Sequence, residues 1–468
     1  MPRQHRGTRP LSELGAAAAS RHAGAMDPRA LLIGAGCSGF TTAKRLADEG
    51  LAFDWFEMSD RIGGNWAYGN PNGRSAAYAS LHIDTSKWRL QFEDFPCPTD
   101  WPDFPHHRLI NSYFNAYVDH FGLRPRIRFR HEVTRVWQED GWMAEVTGPE
   151  GPAIHGPYSH VVVANGHHWD PNIPDIPGQF SGHEFHAHAY RTPFEPVDCR
   201  GKTIVVVGLG NTAVDIASEL GQRSLETRLI VAARRGVWVL PKYLRGKPMD
   251  KTPLPPWVPG WLKRRLGAAA IRRAVGNMED YGLPAPDHAP LEAHPTVSSE
   301  FLLRCGNGDI EVKPMVTAKE GRHLVFADGS REPVDILIHA TGYKLSFPFL
   351  SPADAPVRNN HLPLFKRMVQ SDPRLHGLWF MGLAQPLPTL VNFAEQQSKL
   401  LAAHIAGRYA LPSPAEMERT IAADEATHRG HYYASPRHTI QVDFDLYCHD
   451  LKAEIARGAR RAHTRVAA

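Results

Sequence analysis

Two glycine-rich turns of the same kind punctuate this chain of 468 residues, and they limit the folds open to it more than any other feature. Gly34-Ala35-Gly36-Cys37-Ser38-Gly39 follows the apolar run 30–33, and Gly208-Leu209-Gly210-Asn211-Thr212-Ala213 follows the apolar run 204–207. A short buried strand, a glycine turn and a helix with apolar residues at helical spacing open the βαβ unit of a dinucleotide-binding domain. In the first unit Phe40, Ala43, Leu46 and Ala47 carry that spacing, and a second strand at 53–56 ends at Glu57. In the second unit residues 211–220 read as the helix and 229–232 as the next strand, which runs into Arg234-Arg235. One such turn is weak evidence for a nucleotide site. Two in the same context imply two dinucleotides on one polypeptide, and the usual chemical reason is hydride transfer between them.

The duplication extends further. An apolar strand runs into a glycine at 161–166 and again at 336–342, each preceded by strand-like alternation, at 135–146 and 323–327. The expected fold is α/β: two Rossmann-type dinucleotide-binding domains with β-meander elements, the second domain inserted in the first. The expected boundaries are a disordered arm at 1–26, the first part of the first domain at 27–170, and the second domain at 171–335. The second part of the first domain then spans 336–468 with C-terminal helices and tail. Met26 stands as an alternative start to Met1. An irregular Pro- and Trp-rich insertion is expected at about 250–295, with a basic amphipathic piece at 261–273. That piece reads as a surface helix in preference to a membrane-surface or substrate-access element. The helix 392–406 is expected to pack back on the first unit.

With 53 basic and 49 acidic residues the charge is too balanced to suggest a nucleic-acid partner. The five cysteines, at 37, 97, 199, 305 and 448, form no C-x-x-C pair. That argues for a reducing, cytoplasmic compartment and against a disulfide reductase or a structural zinc site. No apolar stretch approaches the roughly 20 residues of a membrane span. Among 26 histidines, His183, His186 and His188 lie close in sequence, but without a nearby Cys they read as structural or cofactor-pocket residues and no metal is expected.

Each motif residue has a chemical reason. Gly34 permits the tight bend, Gly36 lets backbone approach a pyrophosphate, and Gly39 lets the helix pack close to the strand. The helix N-terminus offers free N–H groups and a positive dipole end to the phosphates. Glu57 stands where an acid binds ribose hydroxyls. In the second unit Ala213 takes the third glycine position, and no acid ends the next strand. Arg234 and Arg235 there suit the dianionic 2′-phosphate of NADP, which a carboxylate would repel.

Between the turns lies Phe180-x-Gly182-x-x-x-His186-x-x-x-Tyr190-Arg191. With Gly63-Gly64-Asn65-Trp66, Gly208-Leu209-Gly210-Asn211-Thr212-Ala213 and Ala340-Thr341-Gly342-Tyr343, the chain resembles class B flavin-dependent monooxygenases over roughly residues 27–410. Within them it is similar to the flavin-containing monooxygenases that oxygenate nitrogen and sulfur; Baeyer–Villiger relatives carry Trp and then Pro or Asp at the last two fingerprint positions. The resemblance implies FAD in the first domain, contacted by Gly64, Asn65 and Trp66. It implies NADPH in the second, contacted by Gly208, Gly210, Asn211, Thr212, His186 and Tyr190, and a cofactor contact at Thr341. His186 and Tyr190 also admit a linker-positioning or packing role. It further implies that reduced flavin reacts with O2 to a C4a-hydroperoxide, from which a soft nucleophilic nitrogen or sulfur of a small molecule takes oxygen.

One position departs from the family. Where members commonly carry Asn, followed two residues later by Ser or Pro and then by Lys-Glu, this chain reads Ser80-Leu81-His82-Ile83-Asp84-Thr85-Ser86-Lys87-Trp88. An amide donates a hydrogen bond; an ionised carboxylate only accepts. Asp84 is therefore the candidate catalytic residue, expected at the flavin–nicotinamide junction with a raised pKa unless Lys87 or Arg89 neutralises it. A Baeyer–Villiger ketone monooxygenase and a slow-turnover nucleotide-binding flavoprotein sensor stay open as alternatives. Tyr190 and Arg191 weigh against the former, and NADPH-driven oxygen consumption tests the latter. No feature specifies the substrate or the oligomeric state, and a homodimer is left open.

Overall fold

Short strands with almost no exposed residues build two parallel sheets of five strands each. The computed structural model describes residues 28–251, 258–293, 295–431 and 440–467; the arm expected at 1–26 lies outside them. The chain opens with β1 (Arg29–Ile33), α1 (Cys37–Asp48) and β2 (Ala52–Glu57). The short α2 (Lys87–Leu90), α3 (His107–His120) and β3 (Ile127–Phe129) follow. A meander of β4 (Glu132–Glu139), β5 (Gly141–Gly148) and β6 (Gly151–Tyr158) then leads to β7 (His160–Val163). β1 pairs in parallel with both β2 and β7, so both of its faces need apolar cover. Ala30 and Leu32 face Phe40, Leu46, Trp55 and Val162 beneath the helices. Leu31 and Ile33 face Phe56, Val161, Val163 and Trp142 beneath the meander.

The second unit repeats this plan. It runs β8 (Gly178–Phe180), β9 (His183–His186), β10 (Thr203–Val207), α4 (Asn211–Leu220), β11 (Arg228–Ala233) and β12 (Val239–Leu240). A hairpin of β13 (Tyr243–Leu244) and β14 (Lys247–Pro248) precedes α5 (Gly260–Val275), β15 (Thr296–Val297), α6 (Phe301–Gly306) and β16 (Ile310–Pro314). Then come the meander β17 (Val316–Gly321), β18 (His323–Phe326), β19 (Arg331–Pro333) and the strand β20 (Ile336–His339). The sheet order is β16-β11-β10-β20-β9. Ile204 and Val206 bury against α4, and Val205 and Val207 against the meander residues Leu324 and Phe326. The hydrogen bonds at the glycine turns coincide as well. Gly34 N donates to Phe56 O and Ala164 N to Ile33 O; Gly208 N donates to Ala232 O and Ala340 N to Val207 O.

The first sheet is re-entered late, when β21 (Leu378–Phe380) pairs with β7. The helix α7 (Val391–Ile405) then packs Leu400 and Leu401 into the core that holds Phe40 of α1. The boundary set at 336 is thereby corrected. β20 pairs in parallel with β10 and β9, so residues 336–339 belong to the second sheet, where both neighbours bury Ile336, Leu337 and Ile338. The insertion carries α5, anchored by Ile271 and Val275, with Trp261 and Leu266 exposed. At the C-terminus lie α8 (Pro414–His431) and α9 (Phe444–Ala467). Tyr447 of α9 packs its ring 4.4 Å from that of Phe393 on α7.

Candidate functional site

The three glycines of the first turn divide by what forbids a side chain. Gly34 has φ +100°, and a Cβ there would stand 2.6 Å from Ala164 O; one at Gly39 would stand 1.9 Å from Gly34 O. The protein's own backbone demands both. Gly36 has φ −75° and ψ −176°, and its Cβ would meet only Gly64 Cα at 3.8 Å, an ordinary contact. What requires Gly36 bare lies outside the protein atoms. No side chain caps α1, so its first N–H groups remain available to an anion. The residues fit a dinucleotide pyrophosphate.

Glu57 ends β2 beneath this turn. Its Oε2 accepts from Ala35 N at 2.6 Å and its Oε1 from Ser59 N at 2.8 Å. Burial raises its pKa and the two N–H bonds oppose that rise. Each oxygen keeps a lone pair for a ribose hydroxyl. The Gly63–Trp66 loop folds over the turn, with Gly63 N donating to Ala35 O at 3.1 Å. Asn65 is engaged within the protein: its Oδ1 accepts from Ala76 N at 2.8 Å. Trp66 packs half-buried on the first core.

The second turn has the same form. Gly208 takes φ +124°, with a Cβ 2.5 Å from Ala340 O, and Gly210 begins an uncapped α4. Asn211 Oδ1 accepts from Val297 N at 2.8 Å, tying β15 to the turn, while Thr212 stands half-exposed at the helix start. Arg234 and Arg235 are both exposed just past β11. Arg235 pairs with Asp287 of the insertion at 2.5 Å. Arg234 makes no hydrogen bond or ion pair among the described residues, so it is the member of the pair free to meet a 2′-phosphate.

The fingerprint segment joins the two domains. Arg191 donates to His188 O at 2.7 Å and to Ser75 O at 3.2 Å, and Ala79 N donates to Arg191 O at 2.8 Å. His188 Nε2 lies 2.8 Å from Gly73 O. The segment thus clamps the strap 73–80 of the first domain. His186 is buried, and burial lowers its pKa to about 4. Its Nδ1 accepts from His188 N at 3.0 Å, and its ring meets Tyr343 at 5.2 Å. Tyr190 does not stand as a cofactor ligand. It is fully buried in the second core, and its OH donates to Glu219 Oε2 at 2.9 Å, which leaves no face for a nucleotide. Thr341 donates to Asn172 O at 2.5 Å and so pins the connector between the domains.

The strap leads to Asp84, which lies where the domains meet. Its neighbour Thr85 donates to Pro388 O of the first domain at 2.6 Å, and Ser86 N donates to Asp250 Oδ2 of the second at 2.8 Å. Asp84 pairs with Lys242 at 3.2 Å. Neither Lys87 nor Arg89 neutralises it: Lys87 Nζ donates to Thr99 O and Trp101 O, and Arg89 pairs with Asp445. Burial still raises the pKa of Asp84 against the pull of Lys242. On α4, Asp215 Oδ2 accepts from Tyr78 OH at 2.5 Å. Burial first, and the Asp84 charge second, push Asp215 up to about 7.

Comparison with known proteins bears on this geometry. Residues 28–460 match the family described as flavin-binding monooxygenase-like. The chain belongs to the flavin-binding monooxygenase-like family. It is 34% identical to flavin-containing monooxygenase 5 of Rattus norvegicus, over 89% of this chain and 80% of that protein. It is 32% identical to dimethylaniline monooxygenase [N-oxide-forming] 2 of the same organism, over 92% and 83%. Among solved structures, S-allyl-L-cysteine S-oxygenase from Allium sativum superposes with a TM-score of 0.67 at 26% identity, covering 92% of this chain and 88% of that one. As a member, the chain is an oxidoreductase that uses FAD and NADPH.

Reading this flavin-binding monooxygenase-like sequence missed Tyr78, Asp215, Glu219, Lys242 and Asp250 at the domain seam. Asp215 and Glu219 carry a signal, two acids four apart on the helix that follows the second turn, hence on one face. Lys242 carries none, because only the docking of one domain on the other brings it to Asp84. Among the described residues no helix is long and apolar enough to cross a membrane, and no group of three or more His, Cys, Asp or Glu is arranged to hold a metal ion.

Proposed function

We propose that the protein transfers one oxygen atom of O2 to a soft nucleophilic nitrogen or sulfur of a small molecule, with FAD at the Gly34–Gly39 turn and NADPH at the Gly208–Ala213 turn. The balance is NADPH, a proton, O2 and substrate to NADP⁺, water and oxygenated substrate. The observation that carries this reading is the pair of equivalent glycine turns, each opening an uncapped helix, with Asp84 at the seam between their domains. The names of the relatives support it: one forms N-oxides and one is an S-oxygenase.

The chain's own residues bind, orient and exclude water. The N-termini of α1 and α4 receive the two pyrophosphates. Glu57 accepts from ribose hydroxyls and Arg234 pairs with the 2′-phosphate. Bound reduced flavin supplies the chemistry that activates O2. Asp84, held as an acceptor at the seam, sets the polarity where the substrate's reacting atom and the cofactors meet. The strap 73–80, clamped by Arg191, closes this region from bulk water. We also assign the protein to the reducing cytoplasm, since all five cysteines are free; cell fractionation tests this.

The experiment is a screen of amines and sulfides that follows NADPH oxidation, O2 uptake, peroxide release and product mass together. N- or S-oxides are expected. Lactones or esters from ketones would move the protein to the Baeyer–Villiger class. Peroxide as the sole product across the screen would refute oxygen transfer.

A further inference from the structure

The seam around Asp84 gathers charges that lie outside the two glycine turns. Lys242, from the segment between β12 and β13, places Nζ 3.2 Å from Asp84 Oδ1 and donates to Ile83 O at 3.3 Å. Asp84 Oδ1 has no other partner among the described residues and no aligned hydrogen bond. From α4, Asp215 accepts from Tyr78 OH, and Glu219, one turn later, accepts from Tyr190 OH at 2.9 Å and Ser80 Oγ at 2.8 Å. Asp250 accepts from Ser86 N and leaves Oδ1 buried without a partner. On the strap itself, His82 Nδ1 lies 2.8 Å from Ser80 O, and Lys87 is spent on Thr99 O and Trp101 O. Carboxylates from both domains thus meet at the seam, and the ammonium of Lys242 pairs with Asp84 among them.

We propose that Lys242 is the positioning residue for Asp84: its ammonium, 3.2 Å away, holds a charged acceptor at the seam. Like charges in a desolvated site oppose full ionisation, and an ammonium beside one of them selects which stays charged. Lys242 belongs to the second domain and Asp84 to the first, so the docking of the domains decides whether position 84 accepts or donates a hydrogen bond. Without Lys242 the carboxyl takes a proton and becomes a donor. Burial raises Asp84 and Lys242 opposes that rise, while burial and the Asp84 charge push Asp215 up to about 7, which agrees with Asp84 as the acid that stays charged.

The inference rests on the proposed function for its catalytic consequence, whereas the charge state is read without turnover. The measurement is the absorption spectrum of the bound flavin in the NADP⁺ complex, titrated from about pH 5 to about pH 9. It compares wild type with Lys242→Met, Lys242→Arg, Asp215→Asn, Asp84→Asn and the double variant Lys242→Met/Asp84→Asn. Lys242→Met should move the midpoint upward by about one pH unit or more, and Asp215→Asn should leave it in place, because the Asp84 charge acts on Asp215 and not the reverse. Lys242→Arg should keep it. On the Asp84→Asn background the titration should no longer respond to position 242, so that the double variant matches Asp84→Asn. The KM for NADPH and kcat, followed over the same range, should shift with the same midpoint. An unmoved midpoint in Lys242→Met, or a Lys242→Met shift that persists on the Asp84→Asn background, overturns the proposal. If Lys242→Met fails to retain flavin, Lys242→Gln takes its place, and an unmoved midpoint there overturns the proposal. Absence of NADPH-driven oxygen transfer in wild type would sink the proposed function and leave this titration to judge the pair separately.

Discussion

Gly36→Ala should separate binding from folding in a way its two neighbours cannot. The backbone at Gly36, φ −75° and ψ −176°, suits any residue, and the new Cβ would find only Gly64 Cα at 3.8 Å. Exchanging Gly for Ala at a helix N-cap costs up to about 1 kcal/mol. For a domain of this size that lowers the melting temperature of the flavin-free protein by only about 2–4 °C. The bound cofactor should lose far more. A methyl where the pyrophosphate approaches backbone removes charge-assisted hydrogen bonds worth roughly 1.5–3 kcal/mol each. Two of them make roughly a hundred- to ten-thousand-fold in FAD affinity. Gly39→Ala should behave oppositely, because its Cβ would sit 1.9 Å from Gly34 O with no room to move, and the fold itself should fail. The assay is the flavin-to-protein absorbance ratio after purification, a titration with added FAD, and thermal unfolding of the flavin-free proteins. Wild-type FAD stoichiometry in Gly36→Ala, or a loss of fold as deep as that of Gly39→Ala, would refute the reasoning.

Further outcomes can be checked the same way. Arg234→Ala should reduce the preference in kcat/KM for NADPH over NADH by an order of magnitude or more. Arg235→Ala should cost less, since Arg235 is held by Asp287. Asp215 is protonated in both folded and unfolded chains below its ordinary carboxylate range, and its folded pKa lies higher, at about 7. The folded state therefore binds the proton more tightly, and stability falls as pH rises through that interval, by an amount on the order of a few kcal/mol. Melting temperatures of Asp215→Asn should show a flatter decline between about pH 5 and pH 8 than wild type. Phe40 is fully buried, with its ring 5.1 Å from that of Phe114 and 5.2 Å from that of Tyr117, so Phe40→Ala should cost about 3–5 kcal/mol in denaturant unfolding.

The local architecture was legible because it rests on short-range physics. A strand buried on both faces must be apolar throughout, a φ of +100° at Gly34 calls for glycine, and a phosphate-binding helix must start uncapped. These constraints act within a few residues, so the sequence by itself determined both βαβ units, their meanders, the acid at Glu57 and the arginines at 234 and 235. Boundaries were less secure. β20 reads alike as the end of the second unit or the return to the first, since burial between parallel neighbours leaves the same apolar signature in either sheet. Only the pairing of Ile336–His339 with β10 decided it. The charge at Asp84 belongs wholly to tertiary structure. The nearby Lys87 and Arg89 were the cations in view, yet Lys87 turns to backbone carbonyls and Arg89 reaches Asp445. The partner that meets Asp84 is Lys242, distant in sequence and carried by the other domain. Tyr190 shows the same limit: its motif position says nothing of the core that encloses it. Backbone conformation and burial pattern are written locally, whereas the pairing of charges across a domain seam exists only once two separately built surfaces dock and exclude water between them.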